Sequence, residues 1–125
     1  HMPAIKALAN HEVFYFADQA IGRLLEYKDQ KEVAAQLEDL QIIQSFLQDP
    51  LKGKSKAASL LQSAREKLIK QDSESAITDI ISAVNLDKHY NEDLPRKLGI
   101  ALFHMYGSQH PLTQEYRKLF DMAIY

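Results

Sequence analysis

Histidine is the side chain in this sequence that could most readily do chemistry, because it can bind a metal or move a proton near neutral pH. Beyond the N-terminal dipeptide, histidines stand at positions 11, 89, 104 and 110. None has the Glu-x-x-His or His-Glu-x-x-His spacing that places two metal ligands on one helix face. His89 and Glu92 are close in sequence, but they straddle a predicted loop. The sequence therefore predicts no metal site and no cofactor.

Arg96 and His104 stand on one predicted helix with seven residues between them. Eight steps of about 100° leave the two side chains about 80° apart, so they share a broad face. An arginine followed by a histidine resembles the motif of the helical HEPN ribonucleases, although that motif has four to six intervening residues. The resemblance implies an alternative function in RNA binding or cleavage. The favoured interpretation is two solvated polar residues beside an apolar stripe.

Phosphate or nucleic-acid binding has little support elsewhere in the chain. Gly53-Lys54-Ser55 lacks the upstream glycine and the strand of a phosphate-binding loop. One local basic group could attract an acidic partner or RNA; it comprises Lys52, Lys54, Lys56, Arg65, Lys67 and Lys70. No aromatic residue lies among these positions to stack on bases, so a solvated loop and helix face is favoured and nucleic acid is not expected as a partner.

Composition narrows the class of protein further. The chain has 125 residues with 15 basic and 17 acidic side chains, a balance that does not favour wrapping DNA or coating an anionic membrane. The absence of cysteine excludes disulfides, cysteine zinc sites and thiol nucleophiles. No stretch approaches 18 uninterrupted apolar residues, so we expect no membrane contact and a cytoplasmic location. We interpret His1-Met2 as a tag remnant and residues 3–125 as one helical domain.

Helices must position these side chains, because apolar residues recur at three- and four-residue spacing and no segment alternates strictly. The sequence predicts an all-α fold of about six helices arranged as antiparallel hairpins, in a repeat stack or a compact bundle. The first helix runs from Ala4 to Tyr27. The second ends at Asp49-Pro50, and a loop through residue 55 separates this N-terminal pair, residues 3–50, from hairpins in residues 56–125.

Four helices are predicted after this loop. Asp72 or Ser73 caps the second of these helices. Pro95 fits the first turn of the third helix, and Gly107 ends that helix. The last helix begins near Pro111 or Thr113. Their predicted buried faces are, in order, Ala57, Leu60, Leu61, Ala64 and Leu68; Ala76, Ile77, Ile80, Ala83 and Val84; Leu94, Leu98, Ala101, Leu102 and Met105; and Leu112, Tyr116, Leu119, Phe120 and Ala123.

Small residues recur at matching positions of these hairpins. The informative segments are residues 72–77 (DSESAI), 83–87 (AVNLD) and 98–103 (LGIALF). They resemble a tetratricopeptide unit and the start of its successor over residues 57–107. Ala76 and Ala83 match the family's small positions, and Gly99 would allow close backbone packing. Lys88 and Ser73 depart from the pattern, since the family customarily has a proline and an aromatic residue there.

The resemblance implies a non-catalytic adaptor, rather than an enzyme, that binds a peptide or protein in a groove lined by the first helix of each hairpin. The matching positions are Arg65, Arg96, Ile100, Phe103 and His104. Arg65 and Arg96 would bind carboxylates or backbone carbonyls, whereas Ile100 and Phe103 would offer an apolar floor.

Aromatic residues gather at both ends of the chain. The consecutive run Phe14-Tyr15-Phe16 spans about 200° of a helix, so we expect at least one ring, and specifically Tyr15, to lie at an edge or against a partner. The second group is Phe103, Tyr106, Tyr116, Phe120 and Tyr125. Edge aromatics buried against a second copy would make a self-assembling adaptor, which is a further alternative.

Overall fold

Five helices make up the part of the chain that the structure describes. The computed structural model describes residues 31–125, and no strand occurs among them. The helices are α1 (Lys31–Gln48), α2 (Lys56–Ile69), α3 (Ser73–Asp87), α4 (Tyr90–Tyr106) and α5 (Pro111–Ile124). The all-α prediction is confirmed. The predicted first helix and the Phe14–Phe16 run lie outside the described residues.

Two helical hairpins form the body of the fold. In the first, α2 packs closely against α3, and the Lys67 ammonium contacts the Asp79 carboxylate at 2.8 Å. In the second, α4 packs against α5, while α3 contacts both of these helices. The Tyr116 hydroxyl of α5 donates a hydrogen bond to the Glu74 carboxylate of α3 at 2.8 Å. Accordingly, α2 and α4 are the first helices of the two hairpins.

Helix boundaries follow local sequence signals. Ser55 and Asp72 cap α2 and α3, each side chain accepting a backbone amide three residues later. Gly107, with a φ of 87°, follows the last residue of α4, as predicted. Helix α1 ends at Gln48, two residues before Pro50, where the chain can no longer stay in the α region.

A left-handed turn opens α4. Asn91, Glu92 and Asp93 have φ values of 48°, 58° and 64°, so the regular helix begins at Leu94 and Pro95 falls in its first turn. Left-handed backbone is costly for residues with a Cβ. The Asp93 carboxylate lies 2.7 Å from His89 Nδ1, and this contact lowers the pKa of Asp93.

Small residues allow the helices to approach closely. Ala64, Ala76 and Ala83 are fully buried, as the predicted apolar faces of the helices indicated. A Cβ added at Gly99 would lie 2.2 Å from Cε1 of Phe120, so α4 and α5 meet at a point where only glycine fits. The prediction of close backbone packing at Gly99 is confirmed.

Tyr106 of α4 and Ser73 of α3 are buried polar side chains where the two hairpins meet. The Tyr106 side chain is 2% exposed, and burial raises the pKa of its hydroxyl to about 12, against an opposing effect of Ser73. Ser73 is itself buried. The serine that departs from the family's aromatic pattern therefore faces an aromatic residue supplied by α4.

Candidate partner-binding surfaces

One outward strip of α4 carries three of the predicted binding residues. Arg96 and His104 are exposed and Ile100 is half-buried. The four-residue spacing places all three on one side of the helix. The structure therefore brings Arg96, Ile100 and His104 together as the α4 strip. That they bind a partner, or that Arg96 and His104 act on RNA, stays a prediction.

Phe103 is covered, contrary to the expectation that it forms an exposed apolar floor. Its side chain is 3% exposed, and its ring centroid lies 5.4 Å from that of Phe120. The Arg117 guanidinium lies over the same ring at 5.6 Å. Helix α5 covers this side of α4, so Phe103 belongs to the core of the second hairpin.

Arg65 was expected to be solvated, but it is half-buried and binds the end of α1. Its Nε donates to the Phe46 carbonyl at 2.8 Å, and its Nη2 donates to the Asp49 carbonyl. The guanidinium also lies over the Phe46 ring, 5.4 Å from the centroid. Helix α1 has no basic residue in its last turn, so Arg65 supplies the positive charge that its terminal carbonyls favour.

Helix α1 packs against α4 rather than stacking on α2, its neighbour in sequence. His104 Nδ1 lies 3.0 Å from the Asp39 carboxylate, which is largely buried. Burial raises the pKa of Asp39, and the contact with His104 opposes this rise without cancelling it. Sequence reasoning missed Asp39, because no short-range signal links two residues 65 positions apart.

An open cleft of about 380 Å³ separates α1 from the beginning of α4. Both acidic and basic groups reach it: Glu38 from α1 and Glu92 and Lys97 from α4. The full lining is Glu38, Gln41, Ile42, Ser45, Asn91, Glu92, Leu94 and Lys97. The cleft is open to solvent and has polar and apolar walls, which suits a polypeptide segment better than an apolar small molecule.

Large apolar side chains are exposed along one side of α5 and at the residue that follows it. Leu119 is 53% exposed, Met122 70% and Tyr125 91%, and we call these three residues the α5 apolar strip. The prediction that Leu119 is buried is wrong, because Phe120 and Ile124 occupy the face of α5 that meets the core. The sequence pattern placed Leu119 and Phe120 on the same buried face, and only Phe120 lies in the core.

The basic group is partly engaged within the chain. Arg65 holds the end of α1 and Lys67 forms its ion pair with Asp79, whereas Lys52, Lys54, Lys56 and Lys70 are exposed. Among residues 31–125, no cluster of three or more His, Asp or Glu side chains could hold a metal ion. No helix in that range is both long and apolar enough to cross a membrane.

Comparison with known proteins gives one family match across most of the chain. A family model described as tetratricopeptide repeat matches residues 30–125, a range that includes α1 as well as both hairpins. No curated protein and no solved structure matches significantly. The resemblance inferred from residues 57–107 is thereby confirmed and extends toward the N-terminus.

Proposed function

The chain belongs to the tetratricopeptide repeat family, and we propose that it is a non-catalytic adaptor that holds a protein partner through the α5 apolar strip. Domains of this family are generally protein-protein interaction modules. The observation that carries the proposal is the exposure of Leu119 and Met122 on the last helix of the second hairpin and of Tyr125 directly after it. Leu119 and Met122 are three positions apart and therefore neighbours on the helix surface, and large apolar side chains exposed side by side are a feature of interfaces.

The strip lies on the side of α5 that faces away from the core. Helix α5 presents Leu119 and Met122 outward while Phe120 and Ile124 fill the core. Covering Leu119 and Met122 with a partner would contribute roughly 1–2 kcal/mol for each side chain.

Charged groups border the strip and indicate what kind of partner fits. Arg117 and Asp121 form an ion pair at 2.9 Å, and Lys118 is exposed beside Leu119. An apolar centre with a charged rim is typical of non-obligate interfaces. We therefore propose a protein partner with a small apolar face, and we propose the α4 strip of Arg96, Ile100 and His104 as an additional contact.

Affinity capture from host lysate tests the strip with a charge-matched control. Leu119→Glu/Met122→Glu changes the net charge by the same amount as Lys118→Glu, which leaves the apolar surface intact. We expect a partner that wild type and Lys118→Glu retain equally and that the double variant loses by about tenfold or more. Circular dichroism must show that all three chains fold. Equal retention by all three would place the interface elsewhere.

A second double variant tests the α4 strip. Arg96→Ala/Ile100→Ala replaces the exposed and half-buried members while Phe103, which belongs to the core, stays unchanged. We expect weaker capture of the same partner if α4 contributes a contact. Unchanged capture would remove the α4 strip from the proposal and leave the α5 apolar strip in place.

The alternatives have separate readouts. Light scattering that shows a concentration-dependent mass, lost in Leu119→Glu/Met122→Glu, would make the partner a second copy of the chain. RNA cleavage that disappears in His104→Ala would favour the ribonuclease interpretation. Intact RNA and a constant monomer mass would count against both.

A further inference from the structure

The flanks of the α5 apolar strip are set by the helices on which α5 packs. On the flank toward α4, Arg117 lies over a ring of α4 and forms its ion pair with Asp121. Because successive helical residues turn by about 100°, Lys118 lies on this same flank, about 60° from Asp121. On the flank toward α3, Tyr116 donates its hydrogen bond to that helix. The α4 flank therefore borders the strip with a positive and a negative side chain about one turn apart.

This order of charges makes the strip complementary to a copy of itself. When two α5 helices meet in antiparallel orientation about a two-fold axis near Leu119, their α4 flanks face each other with the sequence order reversed. Lys118 of each copy then lies opposite Asp121 of the other. Leu119 of one copy meets Leu119 of the other, and Met122 packs on the aliphatic stem of Lys118. A parallel pair would instead set the charged flank against the flank of Tyr116.

The Asp121 carboxylate can accept this second cation. Its side chain is 41% exposed, although Arg117 contacts it at 2.9 Å. An ionised carboxylate has two oxygens and accepts several hydrogen bonds. Lys118 is exposed. Because the contact with Arg117 holds the carboxylate in place, the charge pattern of the α4 flank exists before any pairing.

We propose that two copies of the chain pair through their α5 apolar strips, with the α5 helices antiparallel and Lys118 of each copy facing Asp121 of the other. This pairing rests on the proposed function, since it uses the same strip, and it names a second copy as the occupant. Pairing and capture of another protein exclude each other, because both cover Leu119 and Met122. A concentrated chain therefore covers its strip, and a diluted chain exposes it.

The size of the strip sets the strength of the pairing. A standard protein-protein interface buries roughly 800 Å² on each partner. Leu119, Met122 and Tyr125 are 53%, 70% and 91% exposed and offer roughly half of that area. We therefore expect a weak dimer, with a dissociation constant of about 10–1,000 µM. At the dilution of affinity capture the chain is then monomeric, so Lys118→Glu still serves as a charge control in that assay.

Charge exchange tests the arrangement by sedimentation equilibrium at about 10–1,000 µM. The mass of wild type should rise with concentration toward twice that of one chain. Lys118→Glu and Asp121→Lys each place like charges opposite one another at both ends of the contact, so each should raise the dissociation constant about tenfold. An equimolar mixture of these two variants should pair nearly as tightly as wild type, because every introduced charge then faces its opposite. Lys118→Glu/Asp121→Lys in one chain should also restore pairing.

Two substitutions on α2 are matched controls. Glu66→Lys and Lys70→Glu make the same changes of net charge at exposed positions. Neither should change the dissociation constant by more than about twofold, because distant surface charges are screened by salt. Circular dichroism must show that every chain folds. Should Asp121→Lys not fold, Asp121→Asn replaces it, and its mixture with Lys118→Glu should still pair more tightly than Lys118→Glu alone.

Three results would overturn the proposal. The first is the mass of a single chain at every concentration, and the second is a dimer that neither Lys118→Glu nor Asp121→Lys weakens. The third is a mixture of these variants that pairs no more tightly than each variant alone. None of these results decides whether the strip binds another protein, which capture with Leu119→Glu/Met122→Glu tests separately. Conversely, self-pairing without any captured protein would refute the proposed function and leave the pairing in place.

Discussion

Gly99→Ala is the sharpest test of how the second hairpin is packed. The added Cβ would lie 2.2 Å from Cε1 and 2.4 Å from Cζ of Phe120, whereas packed carbons lie roughly 3.5–4.0 Å apart. The Phe120 ring would have to move by roughly 1 Å or more. It has no exposed surface, and Phe103 stands against it, so the ring cannot move out into solvent.

Two opposing contributions set the size of the effect. Overpacking of a core typically costs about 1–3 kcal/mol, and a contact this short belongs at the upper end. Alanine is favoured over glycine inside a helix by about 1 kcal/mol, which offsets part of that cost. We therefore expect Gly99→Ala to lower the free energy of unfolding by about 2 kcal/mol and the Tm by roughly 6–12 °C.

Urea unfolding followed by far-ultraviolet circular dichroism measures this effect. A double-mutant cycle with Phe120→Leu isolates the contact, because the smaller side chain makes room for the new methyl group. Ser82→Ala, at an exposed position of α3, controls for helix propensity and should be neutral or slightly stabilising. The packing argument is refuted if Gly99→Ala is as stable as wild type, or if its cost is unchanged in the Phe120→Leu background.

Three further substitutions test particular features. Glu92→Gly should stabilise the chain by about 1 kcal/mol in urea unfolding, because φ is 58° there, and lower stability would contradict this. The pKa of Asp39 is raised in the folded chain, so the fold loses stability as pH rises through that pKa and the carboxyl group ionises. The free energy of unfolding of Asp39→Asn, measured from acid to neutral pH, should therefore rise relative to that of wild type. A relative fall would refute this expectation. Tyr106→Phe should change stability by less than about 1 kcal/mol at neutral pH. Because the folded pKa of Tyr106 is about 12, wild type should fall behind this variant above pH 10, and parallel alkaline curves would contradict the assignment.

The hairpins were predictable because their signals are local. Apolar periodicity, the Asp72 cap and the stop at Gly107 each depend on residues within one or two turns. Ala76 and Gly99 could be read through the family resemblance, since small residues mark the points where helices meet. The left-handed turn before Leu94 was not predicted, because none of its three residues is a glycine.

The surfaces were harder to predict because they depend on which helix covers which face. Ile100 and Phe103 lie three positions apart and looked equivalent, yet α5 covers Phe103 and leaves Ile100 at the edge. Leu119 and Phe120 are adjacent, and only the second enters the core. Arg65 looked free because its acceptors belong to α1, whose position rests on contacts between residues far apart in sequence.

The contact between Asp39 and His104 also sets an order of events during synthesis. Its two residues are 65 positions apart, so the ribosome makes α1 long before the helix that receives it. At translation rates of about 5–20 residues per second, His104 is synthesised roughly 3–13 seconds after Asp39. During that interval the apolar face of α1 lacks the α4 surface that packs against it in the finished protein. A nascent chain arrested before α4 should therefore expose the apolar face of α1, which is buried in the finished protein.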